Sequence, residues 1–532
     1  MTVHPLTFPG TIVSGEVPVP VRERLAAIDI GSNSLHMVVA EVGANGGYRL
    51  LGREREMVRL GKTALGAGAL SEAAMRDGLE ALVKMTTLAR LKGADQVVAV
   101  ATSAVREAAN GQDFLARVKA QTGLDVQLLS GIEEGQLIYR AVREVVDLGP
   151  GTAVIVDVGG GSTEWITARG GEIERVVSLT LGSLRCAGDL KGDPPAASSI
   201  ERLRRRIRER LADEVPTRPV DRVVATSGTA VCCADLVDLF ASRAWKESTG
   251  GLREVRVRDL AALVERLRLL PREEIARLPP VGGPRSDSLL AGAVLLQELF
   301  AHAGVERFQV SDRALREGLV LAALGQPIPR SHQPEDLRRR QILQLSERTE
   351  SVFRHSLQSA RLAARLFDVT ASLHGFGARE REWLEYAALL HDIGYSIHYR
   401  NHHKHSYYLI NNANLDAFDQ REIEIIAHVA RYHRGASPKA DHATFASLKP
   451  WQQKTIQKLA ALLRVGDALD RTHASRVDEI YGAIRARRVT LEVISRYDVS
   501  LELEGARAGG RLFEKVFDCK LRLRQGLEVA TV

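Results

Sequence analysis

The chain has 532 residues, a formal net charge of +7 and a pI of about 9.2, so its partners are expected to be anionic. Its 45% apolar and 26% charged composition is that of a globular protein, and its length suggests about three to four domains. No apolar run approaches a membrane span, and the four cysteines (Cys186, Cys232, Cys233, Cys519) form neither a zinc pattern nor a disulfide framework, which points to a reducing cytoplasm.

The first twenty residues contain no Lys, no Arg and no apolar core, so residues 1–23 read as a flexible Pro/Gly extension and not a signal peptide. Leu25–Val39 (LAAIDIGSNSLHMVV) then gives an apolar strand, an Asp, a Gly, small polar residues and a second strand. MVVAEV and YRLL read as strands around a Gly43–Gly47 turn, and Ser71 opens an amphipathic helix. Gln96–Ala101 is a buried strand that delivers Arg106 to a helix start, where its fork can meet either a phosphate or a surface carboxylate. Leu128–Gly131 ends the next strand, and Glu133 and Glu134 fall in a first helical turn, where acids commonly complement the helix dipole.

Ala153–Ile166 (AVIVDVGGGSTEWI) repeats the first hairpin with three glycines at its tip. Successive glycine amides can wrap a phosphate while Asp157 and Glu164 hold a hydrated Mg²⁺ beside it, whereas a plain β-hairpin would have a mobile turn. A third loop, Ser227-Gly228-Thr229, again follows an apolar strand. Two Asp-Gly hairpins in successive halves and a later Gly-Thr loop are the pattern of an actin-like (ribonuclease H-like) α/β architecture with two duplicated lobes that clasp phosphates. The expected lobes are residues 24–145 and 146–328. Within the second, Ile200, Leu203, Ile207 and Leu211 form a helical stripe, and Arg204, Arg205 and Arg208 make either a solvated face or a basic wall.

Gly325–Pro334 is Pro/Gly-rich and reads as a linker, after which the pattern turns helical over residues 329–485. Adjacent His391 and Asp392 suit an N/O metal site, with His355 and Asp467 supplied by other helices. VTLEVI, VSLELE and VFDCKLRLR read as strands, so residues 486–532 are expected to form a small β-rich C-terminal domain.

Five separated segments resemble the exopolyphosphatase/guanosine-pentaphosphate phosphohydrolase (Ppx/GppA) family: SLHMVVAEV, AVATSAVREAAN, LLSGIEEGQLIYRAV, DVGGGSTE and VSDRALREGLV. The likeness runs from about Leu25 to the C-terminus, because the family's longer members also carry an HD-type half. It implies hydrolysis of terminal phosphates from inorganic polyphosphate, with guanosine pentaphosphate, converted to the tetraphosphate, as a further substrate. Asp29, Gly31, Ser32, Asn33, Gly159, Gly160, Gly161, Ser162, Thr163, Ser227, Gly228 and Thr229 would then cradle phosphates, joined by Arg285 of the closing Arg285-Ser286-Asp287 segment. Arg106 would stabilise the transition state, and one glutamate of the Glu133-Glu134 pair would act as base, Glu134 by its spacing to Asp157. The His…His-Asp…Asp set resembles the HD phosphohydrolase superfamily, whose site would take Mn²⁺ or Fe²⁺, with His405 and His433 serving a second metal. A homodimer is expected, with no nucleic-acid or membrane partner. A kinase of the same superfamily, an HD-type nucleotide phosphohydrolase and a non-catalytic alarmone-binding regulator are the competing readings.

Overall fold

The computed structural model describes residues 23–42, 48–241, 252–325, 334–346, 353–413, 415, 417–439 and 441–526. The chain divides into two compact units, Met1–Pro334 and Glu335–Val532. Residues 1–22, the Gly43–Gly47 turn and most of the expected linker lie outside the described residues.

The first unit is built on two mixed sheets. One comprises β1 (Arg24–Ile30), β2 (Leu35–Val42), β3 (Tyr48–Glu56), β4 (Gln96–Ala101) and β5 (Val126–Leu128), in the order β3-β2-β1-β4-β5. The other comprises β6 (Thr152–Val158), β7 (Thr163–Arg169), β8 (Glu172–Leu179), β9 (Arg222–Thr226), β10 (Arg253–Arg256) and β11 (Arg307–Val310). Its order, β8-β7-β6-β9-β11-β10, repeats the first sheet: an antiparallel meander, then parallel neighbours reached by crossovers, with one added edge strand. The motif residues therefore occupy matching places, since Asp29 and Asp157 are each the penultimate residue of their sheet's first strand. Across the hairpin, Asp29 pairs with His36 while Asp157 pairs with Glu164. The same frame thus carries a histidine in one sheet and a second carboxylate in the other.

Two helices, Gly131–Arg143 and Leu315–Ala323, share a core with both sheets through Leu137, Ile138, Val142, Leu319 and Val320. The later helix falls in the stretch expected to be the second lobe, yet it packs on β1 and on the Gly131–Arg143 helix. Their crossing is so close that a Cβ on Gly318 would overlap the Leu137 carbonyl. Gly318→Ala is therefore expected to destabilise the chain by about 1–3 kcal/mol, the usual range for overpacking, seen as a lower urea midpoint. An unchanged midpoint would show slack in this crossing.

The Ala197–Glu214 helix buries Ile200, Leu203, Ile207 and Leu211 as its stripe predicts. Arg208 grips Glu298 with two hydrogen bonds, of 2.6 and 3.1 Å, and Arg204 reaches Glu201 and Gln297 at 2.9 and 3.2 Å. These two arginines are engaged within the fold.

The second unit is helical, with a three-stranded sheet of β12 (Glu479–Arg485), β13 (Arg488–Ile494) and β14 (Lys520–Gly526). VSLELE is not a strand: it opens a helix, Ser500–Phe517, and Leu501 is 56% exposed. Its alternation is a coincidence of six residues, and the buried set Leu503, Ala506, Gly510 and Phe513 has helical spacing. The sheet straddles residue 486, and its Val489, Leu491 and Val493 share one core with Leu362, Leu384 and Leu459 of the helices. The C-terminal strands and helix therefore belong to the helical unit's core and do not form a separate domain.

Candidate active site

In the first unit the two hairpin tips meet. Ser32 and Ser103 share a hydrogen bond of 2.9 Å between their hydroxyls, and the Gly159–Gly161 loop lies against them. A Cβ on Gly161 would sit 2.6 Å from the Ser103 hydroxyl, and one on Gly160 would sit 3.0 Å from the Ser32 Cβ. Glycine is required here by close approach of the second loop to the first. The loop is pinned from behind: the Ser183 amide donates to the Gly159 carbonyl at 2.8 Å, and the Thr163 hydroxyl donates to the Leu181 carbonyl at 2.5 Å.

Four carboxylates converge on this junction. Asp29, Asp157, Glu134 and Glu164 are buried or nearly so, and each holds its proton more tightly than an ordinary carboxyl group. Burial is the largest cause throughout, and the Glu134 charge adds to it at the other three. Asp29, Asp157 and Glu134 are pushed up to about 7. Arg106 sits on Glu134, donating to its carboxylate and, at 2.6 Å, to the Leu129 carbonyl. Glu164 accepts a hydrogen bond of 2.9 Å from Ser178. The Asp29 Oδ1 and Asn33 Oδ1 atoms are buried with no hydrogen-bond partner. A cluster of hard oxygen donors with an orphaned carboxylate oxygen fits a divalent cation such as Mg²⁺.

The two candidate bases have different environments. Glu133 closes a capping box, its carboxylate accepting from the Ser130 amide at 2.7 Å while the Ser130 hydroxyl accepts from the Glu133 amide at 3.2 Å. Glu134, one residue on, is the buried one that faces Arg106.

The third loop lies in the same unit. Ser227 holds a φ of 87°, rare for a residue with a side chain, and its hydroxyl is buried without a partner. Thr229 donates to the Val158 carbonyl at 3.4 Å, and a Cβ on Gly228 would lie 2.7 Å from the Arg285 guanidinium. Arg285 therefore lies against this loop.

Sequence reasoning missed Arg316. Its guanidinium is largely buried, bonds Glu317 at 3.0 Å and draws down the proton affinity of both Asp29 and Asp157. The argument that singled out Arg106, an arginine entering a helix just after a buried strand, applies equally to Arg316 after β11. Arg55 stands near it, its proton affinity lowered to about 10 by burial and by the charges of Arg285 and Arg316.

The second unit gathers another cluster. The His355 and His391 Nε2 atoms lie 3.0 and 3.3 Å from one Asp467 oxygen, and His402 and His433 approach Asp392 Oδ1 at 3.2 and 3.7 Å. His391 also lies 3.5 Å from Asp392. In every histidine the other nitrogen is already used. The Nδ1 atoms of His391, His402 and His433 face the carbonyls of Ala388, Tyr399 and Ala430 at 2.6, 3.1 and 2.7 Å. A carbonyl only accepts, so these Nδ1 atoms carry the protons and the Nε2 lone pairs converge. His355 Nδ1 faces the buried Asp470 carboxylate at 2.9 Å, which orients it in the same way. His391 Nε2 and Asp392 Oδ1 have no hydrogen-bond partner, as expected of groups arranged for an ion. His405 is not part of the cluster among the described residues, and His402 takes the place expected for it.

The chain matches the Ppx/GppA phosphatase family over residues 38–326 and domain III of that family over residues 337–504. An exopolyphosphatase from Cytophaga hutchinsonii is 24% identical, with a TM-score of 0.54 over 57% of this chain and 99% of its own. A Ppx/GppA family member from Aquifex aeolicus is 27% identical, with a TM-score of 0.50 over 57% of this chain and 97% of its own. An exopolyphosphatase-like protein, 23% identical with a TM-score of 0.53, covers 57% and 97%. With matching strand order, converging carboxylates and both family segments in place, the chain belongs to the Ppx/GppA phosphatase family, as a hydrolase of phosphoric anhydride bonds.

Proposed function

We propose that the first unit is an exopolyphosphatase that removes terminal phosphates from inorganic polyphosphate, and that guanosine pentaphosphate is a second substrate. The observation that carries this reading is Glu134, buried and held by Arg106, beside the junction of two glycine hairpins. The two sheets would be duplicated lobes, each lending a hairpin to the phosphate cradle. Asp157 and Glu164, with Asp29 beside them, would hold Mg²⁺, which when bound supplies positive charge against the phosphate oxygens. The chain's own residues do the rest. The Gly159–Ser162 amides and Ser32 orient the terminal phosphoryl group, and Arg106 offsets the charge on its oxygens. A phosphate that competes for Arg106 frees Glu134 to orient water and take its proton, a task suited to a carboxylate poised near neutrality.

Purified protein with Mg²⁺ is expected to release phosphate from long polyphosphate, and to stop when the metal is chelated. Release compared on guanosine pentaphosphate ranks the two substrates, and release from neither overturns the reading. The buried free cysteines suit a reducing cytoplasm, and no helix of the described residues is long and apolar enough to cross a membrane. A homodimer completes the proposal.

The converging Nε2 atoms favour a second reading for the second unit: an HD-type domain with a two-metal centre for Mn²⁺ or Fe²⁺. His355, His391 and Asp467 would hold one ion and His402 and His433 the other, with Asp392 between them. Bound metal would supply Lewis-acid chemistry for a phosphate ester.

A further inference from the structure

A cavity of about 590 Å³ opens on the second unit, and none of the histidine–aspartate cluster lines it. Its volume falls within the range of small-molecule sites. One wall is apolar and aromatic, formed by Phe376, Trp451, Leu512 and Val516. Trp451 is 47% exposed, so part of its ring is open to a ligand in the cavity. Three ammonium groups, Lys454, Lys458 and Lys515, lie on the same cavity, and no acidic side chain lines it. Lys458 is held in place, with its Nζ 5.0 Å from the Phe376 ring centre and 3.2 Å from the His374 carbonyl. Among the described residues, none of the three lysines is ion-paired with a carboxylate. Pro438 and neutral Gln457, Thr455 and Ser437 complete the lining, and the last three can read the polar edge of a ring.

The geometry points to a binding site for a nucleoside polyphosphate, with its base on Trp451 and its phosphates on the three lysines. A bare anion has no use for the aromatic wall, and an apolar ligand has no use for three uncompensated charges. A base joined to a phosphate chain matches both. The site draws Trp451, Lys454 and Lys458 from the N-terminal half of the Pro450–Ala468 helix. That helix also carries Asp467, roughly 20 Å along its axis from Lys454 at 1.5 Å per residue. One rigid element therefore joins the cavity to the histidine–aspartate cluster. The inference does not depend on the activity proposed for either cluster.

The full chain is photolabelled with 8-azido-ATP and the labelled peptides are mapped. Label is expected in peptides containing Trp451–Lys458 or Leu512–Val516, chased by excess ATP and chased poorly by adenosine or by tripolyphosphate. Trp451→Ala and the double variant Lys454→Glu/Lys515→Glu are each expected to reduce ATP affinity at this site by about tenfold, an ordinary loss for one base-stacking ring. Both changes are at exposed or half-exposed surface, and circular dichroism checks that the variants remain folded. Label confined to peptides from residues 24–325 overturns the inference. So does tripolyphosphate chasing as well as ATP with Trp451→Ala inert, which would make the cavity an anion patch. An acidic peptide that displaces the probe better than ATP overturns it as well.

Discussion

Glu134→Gln is expected to lower turnover on polyphosphate by about 10²–10⁴-fold, the usual contribution of a general base, with substrate affinity largely kept. The glutamine preserves volume and can still accept from Arg106, so the loss isolates the proton acceptor from the packing around it. Glu133→Gln is the matched control. Its carboxylate is committed to the helix cap, where an amide oxygen can still accept from the Ser130 amide, so its effect is expected to be a small one on stability. Single-turnover phosphate release on both variants decides the matter. A fully active Glu134→Gln with an inactive Glu133→Gln would reverse the assignment, and two fully active variants would remove the glutamates from the mechanism.

His391→Ala is expected to empty the metal centre proposed for the second unit while the polyphosphate hydrolysis proposed for the first continues. His391 has the most central place, since its Nε2 is near both Asp392 and Asp467 and belongs to both candidate ligand trios. Elemental analysis after loading with Mn²⁺ should show about two ions per chain in the parent, as a two-metal site requires. His391→Ala should retain almost none. His402→Ala should keep about one, and His405→Ala should match the parent. Metal bound only by the folded state also raises stability, so chelation should lower the melting temperature of the parent and leave that of His391→Ala unchanged. No metal under any loading condition would make the second unit a scaffold.

The parts of this site that could be read from the sequence are those written in one stretch of chain. Asp157, three glycines and Glu164 span a single hairpin, so their spacing already determines that the two carboxylates face each other across a strand pair. The likeness between that hairpin and Leu25–Val39 survives in the structure as one strand order used twice. What could not be read depends on which way a helix faces. His402, His403 and His405 occupy nearly one helical turn, and only the burial of Ser406 and Ile410 beneath His402 shows which of them points inward. In isolation, VSLELE carries equally good strand and helix patterns, and its packing partners decide between them. Arg316 was hidden for another reason, because its carboxylate partners Asp29 and Asp157 are far away in sequence.

The crossing at Gly318 has a consequence for how the chain is made. Side chains from β1, among the first described residues, are sealed by Leu315, Leu319 and Val320, nearly three hundred positions later. During synthesis the first sheet must wait, one face uncovered, until that late helix leaves the ribosome. Cutting the chain between the two sheets, near residue 146, would leave this apolar face bare for good. The half-proteins so produced are expected to aggregate when expressed apart and to recover solubility when expressed together.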